Sequence, residues 1–73
     1  MGKMLEEIVF IVEEAPEGGY TARALGVSIV TEADTLDVLR REVVDAVRCH
    51  FADAAQQPRL IRLHLVKDEV LTA

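Results

Sequence analysis

The sequence is poor in several residue types: one cysteine, one serine, three aromatics (Phe10, Tyr20, Phe51) and no asparagine. Cys49 has no partner for an internal disulfide and no metal-ligand spacing around it, so a reducing cytoplasm is the expected location. Ser28, the only serine, lies in an apolar stretch and leaves no Ser/His/Asp set. No apolar run approaches the ~18 residues of a membrane-spanning helix. The opening MGKMLEEIVFIVEEAPEGG has acids where an export signal needs an apolar stretch, and Glu6 stands where a myristoylation signal wants Ser or Thr. Gly18-Gly19 is no phosphate loop, because no GxxxxGK[ST] pattern surrounds it. The missing asparagine, with six arginines to two lysines, fits a thermophile or a GC-rich genome.

What is present points to one small domain, residues 1–73, with 51% hydrophobic residues and a net charge of −5. So many aliphatic side chains in so short a chain call for either an unusually complete core or a surface covered by another chain, and a homo-oligomer, a dimer or higher, is the expectation. The acidity is uneven. Residues 1–34 hold two basic residues against seven acids, whereas residues 58–73 hold three basic residues against two acids. Without a basic stripe, nucleic acid is not an expected partner, and a basic protein is.

The apolar run Ile8 to Val12, inside LEEIVFIVE (5–13), reads as a strand buried on both faces. Pro16 and Gly18-Gly19 turn the chain into YTARAL (20–25), a second strand, and Gly26 separates it from a third, VSIVT (27–31). Asp34 is the expected helix cap, accepting from the Asp37 backbone N–H. Leu36, Leu39, Val43, Ala46, Val47 and Phe51 then line one helix face, with Asp37–Arg41 as an i,i+4 pair. The helix should fade by Ala54 or Ala55, ahead of Pro58. RLIRLHLVK (59–67) alternates Ile61, Leu63 and Leu65 against Leu60, Arg62, His64 and Val66, and DEVLTA reads as an extension or frayed tail. The expected fold is α+β, in the order β-β-β-α-β: a mostly antiparallel sheet with one helix packed on one face.

Chemistry-bearing residues are few. His50 and His64 are fourteen residues apart without ligand-spaced companions, so no metal or cofactor is expected. Cys49 and His50 are neighbours on a helix and diverge by about 100°, so a thiol–imidazole pair is not expected. Glu13, Glu14 and Glu17 crowd the turn. On a wet loop they are either a solvated tip that keeps the hairpin soluble or an acidic patch for a basic partner. Tyr20 beside them is either a packing residue or an interface anchor.

The block EEAPEGGYTA, followed by ADTLDVLRREVVDAV, resembles the HicB-like antitoxin family, in which an acidic strand runs into a Gly-Gly-Tyr turn and an Asp-Thr cap opens a single helix. Glu17-Gly18-Gly19-Tyr20 with Ala22, and Asp34-Thr35-Leu36, carry the match, which covers roughly residues 5–67. ALGVSIV replaces the Pro/Gly/Cys-containing segment common before the family's third strand. The resemblance implies a non-catalytic module that covers a basic, HicA-like mRNA-cleaving toxin. Because the C-terminal DNA-binding part of full-length members has no counterpart here, operator binding is not expected. The alternatives are an orphan homo-oligomeric scaffold or regulator of the same fold, and a small enzyme subunit, for which no diphosphate or magnesium motif is present.

Overall fold

The computed structural model describes residues 6–73. Along them run β1 (Glu7–Glu14), β2 (Tyr20–Ala24), β3 (Val30–Ala33), α1 (Leu36–His50), a 3₁₀ turn at Ala54–Gln56 and β4 (Leu60–Val66). The sheet order is β3-β2-β1-β4. β2 pairs antiparallel with both β1 and β3, whereas β4 runs parallel to β1. The parallel pairing needs a long crossover, and α1 supplies it. The architecture is the α+β sheet with one helix on one face that the sequence pattern predicts.

Strand alternation decides which side chains meet the helix. Ile8, Phe10 and Val12 of β1 and Ala22 and Ala24 of β2 face Leu39, Val43 and Val47 of α1, and all eight are buried. The helix residues recur every four positions and so share one stripe. Leu36, Ala46 and Phe51, assigned to the same stripe by their spacing, are partly buried against that core. The helix lies over β2 and β3, and the small side chains of Ala22 and Ala24 make room beneath it.

Several boundaries differ from the sequence expectation. Leu5, the expected first residue of β1, lies outside the described residues. Residues Ile8 to Val12 are not buried on both faces: Val9 and Ile11, on the side away from the helix, are half-buried. The third strand is Val30–Ala33 rather than 27–31. Gly26 has φ +86°, the Ile29 N–H donates to the Val27 carbonyl, and the Ala24 N–H donates to the Ile29 carbonyl. The segment is thus a loop that plugs Ile29 into the core at 7% exposure.

The helix cap is Thr35, whose Oγ1 accepts from the Val38 N–H at 3.2 Å, and not Asp34. Asp37 bonds Arg40 at 2.7 Å instead of Arg41. The helix stops at His50, short of the expected Ala54 or Ala55. There the Phe51 N–H closes the last turn on the Val47 carbonyl, and the Gln57 side-chain amide donates to the Phe51 carbonyl at 2.8 Å. Residues 67–73 form no secondary structure, and Val70 and Leu71 are exposed.

Candidate functional site

The β1–β2 turn is built on its two glycines. Gly18 and Gly19 have φ of +102° and +84°, the region glycine enters without a Cβ clash. The Ala15 N–H donates to the Gly19 carbonyl, and the Gly18 N–H to the Ala15 carbonyl. At Gly19 space also matters, since a Cβ there would sit 3.0 Å from the Ala33 carbonyl oxygen at the end of β3. The glycine therefore lets the turn lean on the β3–α1 junction.

That contact brings distant acids together. An open groove of about 570 Å³ lies between the turn and the start of the helix, lined by Ala15, Gly18, Tyr20, Glu32, Ala33, Asp34, Val38 and Glu42. Its charged members are all carboxylates. A second groove, of about 440 Å³, lies on the far side of the turn and includes Glu13, Glu14, Lys67 and Asp68. Tyr20 belongs to the first groove and also to a smaller, mainly apolar one with Val12, Leu36 and Leu65.

The four residues singled out from the sequence therefore share one end of the molecule without forming one cluster. Glu13 and Glu14 are successive strand residues and point to opposite sides of the sheet. Glu17 is exposed at the tip, and Tyr20 is half-buried against the core. Sequence reasoning missed Glu32, Asp34 and Glu42. Only the β2–β3 pairing, with Thr21 opposite Glu32, and the helix crossing bring them to the turn. The available signal is Asp34, between the end of β3 and the helix cap, which the sequence pattern assigns to capping.

Elsewhere the polar chemistry is sparse. No polar or charged side chain is buried among the described residues, and no group of three or more His, Cys, Asp or Glu is placed to hold a metal ion. Cys49 and His50 are exposed, and the His50 ring meets Phe51 edge-on with centroids 4.8 Å apart. Among the described residues no helix is long and apolar enough to cross a membrane. On the sheet side away from the helix, Arg62 donates from Nε and Nη2 to the same Glu7 oxygen, at 3.1 and 2.8 Å. This bond holds the Glu7 carboxyl below its ordinary range and the Arg62 guanidinium above its own.

These features define a small α+β protein with an acidic end and no buried charge among the described residues. The chain belongs to the UPF0150 family. It is 48% identical over 59 residues to a UPF0150 protein of Archaeoglobus fulgidus, a match covering 81% of this chain and 86% of that one. A UPF0150 protein of Thermotoga maritima is 41% identical over 63 residues, covering 86% and 87%. No family model matches the chain, and no solved structure matches it.

Proposed function

We propose that the chain is a non-catalytic HicB-like binding module whose acidic end covers a basic protein surface, as an antitoxin covers a HicA-like mRNA-cleaving toxin. The observation that carries this reading is the groove lined by Tyr20, Glu32, Asp34 and Glu42 without a basic residue in the lining. Glu13, Glu14 and Glu17 extend the same charge around the turn. Carboxylates spread over such a surface offer an RNA-binding face the charge it expects from phosphates. Their main contribution is a faster encounter, screened by salt. Tyr20 supplies an aromatic body with a polar tip at the groove, the kind of side chain that anchors interfaces.

The same fold acting as an orphan homo-oligomeric scaffold is the second reading. Apolar side chains left open on the sheet side away from the helix support it: Leu25 is 54% exposed, Val30 70% and Leu60 61%. Covering that side with a second copy would hide them.

Titrating a purified HicA-like toxin against the chain in low and high salt tests the first reading. Binding should weaken as salt rises, and the triple variant E14K/E17K/E32K should bind at least tenfold more weakly while melting normally. If the folded chain fails to bind or to block RNA cleavage, the antitoxin role is lost and the scaffold reading stands.

A further inference from the structure

We propose that the later turns of α1 and the start of β4 form a second docking surface, for an acidic protein segment that carries an aliphatic side chain. The inference lies beyond the antitoxin reading and uses none of its residues. Leu60 pairs with Glu7 at the start of β1, whereas the acidic turn follows Glu14 at its end. About 23 Å of strand separates the two ends.

Two open grooves adjoin at this surface. One, of about 350 Å³, runs beside Arg40, Arg41, Val44, Asp45 and Arg48 on the outer side of the helix. The other, of about 280 Å³, lies between the helix and β4, where Val44, Arg48, Pro58, Arg59 and Ile61 line it. Val44 and Arg48 belong to both. Arg41, Val44 and Arg48 fall on one helical stripe, at i, i+3 and i+7, so the two arginines start about 10 Å apart along the axis.

The charge here is the reverse of the chain's. Four arginines line the grooves against a single carboxylate, Asp45. Asp37 engages Arg40 at 2.7 Å, whereas Arg41, Arg48 and Arg59 take part in no ion pair among the described residues. Unpaired arginines are common on surfaces. What sets these apart is the apolar floor between them: Val44, Pro58 and Ile61 are half-buried, beside the buried Val47.

Those features select the occupant. A guanidinium fork takes a carboxylate or a phosphate. A nucleic-acid strand is ordinarily held by aromatic faces under its bases, and neither groove has one. The net charge of −5 also repels a long polyanion, while a segment with a few carboxylates meets the local arginines first. Acids of such a segment pair with Arg41, Arg48 and Arg59, and an aliphatic residue between them covers Val44, Pro58 and Ile61. The acidic groove at the turn shares no lining residue with this surface, so the chain can hold a basic and an acidic partner together.

Amide NMR of the full chain, titrated with a capped Asp-Glu-Leu-Val-Glu-Asp peptide, tests the proposal. Amides of residues 41–48 and 57–61 should shift, and those of residues 15–20 should not. The double variant Arg48→Gln/Arg59→Gln should bind about tenfold more weakly. Val44→Gln, which keeps the charge, should lose about fivefold. Arg23→Gln, on the sheet side away from the helix, should change nothing. The amide spectrum of each variant shows that it is folded, and the map on the native chain stands without the variants. No shift at millimolar peptide overturns the proposal. So does a single-stranded oligonucleotide of equal charge that binds as tightly, or a peptide with Gly-Gly in place of Leu-Val that does. Shifts of residues 41–48 on raising the chain's own concentration, before any peptide is added, overturn it as well, because a second copy then fills the surface.

Discussion

β1 shows how two sides of one strand come to differ. Ile8, Phe10 and Val12 are at most 2% exposed, while Val9 and Ile11, the alternate residues of the same apolar run, are half-buried. Side-chain chemistry does not separate the two sets. The helix does, because it lies across one side and places Leu39, Val43 and Val47 against the first set. The second set shares its side with the charged residues Glu7, Glu13, Arg23 and Arg62.

The largest expected effect tests that contrast directly. Phe10 is fully buried, so Phe10→Ala should cost about 3–5 kcal/mol by removing transfer energy and leaving a cavity. Ile11→Ala, one residue along and half-buried, should cost about 1–2 kcal/mol in dilute protein. Urea unfolding of both variants provides the comparison. Equal losses in dilute protein would mean that the two sides are equally covered.

The turn repeats the contrast between a covered and an open position at two adjacent glycines. Ala at Gly19 meets both a left-handed backbone and the Ala33 carbonyl oxygen, whereas Ala at Gly18 meets only the backbone strain. Gly19→Ala should therefore cost more than Gly18→Ala, whose loss is of order 1–2 kcal/mol. Thermal melts of the two variants should show that order. The reverse would place the turn away from the end of β3.

At the start of the helix, Thr35→Ala removes the oxygen that accepts from Val38 and should cost about 1 kcal/mol. Asp34→Ala should leave stability within a few tenths of a kcal/mol, because Asp34 faces the groove and does not cap. If the two losses are reversed in unfolding experiments, the cap belongs to Asp34 after all.

Much of this fold was legible in the residues because its signals are local and periodic. The four-residue recurrence of Leu39, Val43 and Val47, the Gly18-Gly19 turn and the alternation in β4 each appear in the structure. What was misread depended on competition between nearby groups. VSIV has strand composition, yet the Gly26 turn makes it a loop that buries Ile29. Asp34 and Thr35 are both good caps, and the backbone entering the helix selects Thr35. Ile8 to Val12 reads as doubly buried because composition cannot show that one helix covers one side. The acidic groove was legible only in Tyr20: Glu13, Glu14 and Glu17 are near it in sequence but outside its lining, and Glu32 and Glu42 arrive only through strand pairing and the helix crossing.

The open side of the sheet offers the finest test, through the ion pair between Glu7 at the start of β1 and Arg62 on β4. Arg62 donates two hydrogen bonds to the Glu7 carboxylate and adds its positive charge, so the folded-state pKa of Glu7 lies below the unfolded one. The folded protein therefore binds a proton at Glu7 less readily than the unfolded chain. The stabilising contribution is full above the unfolded carboxylate range, near pH 4.3, and disappears as the pH falls through the folded value. Both side chains are solvent-accessible, at 63% for Arg62 and 31% for Glu7, so salt screens the pair and this effect should be the smallest of the four. The stability difference between the native chain and Glu7→Gln should be greatest near neutral pH in low salt. It should shrink in high salt and close below the carboxylate range. A difference that stays constant from neutral to strongly acid pH would show that Glu7 contributes packing alone. β4 would then be held to β1 by its backbone ladder and its helix-side residues, without help from charge on the open side.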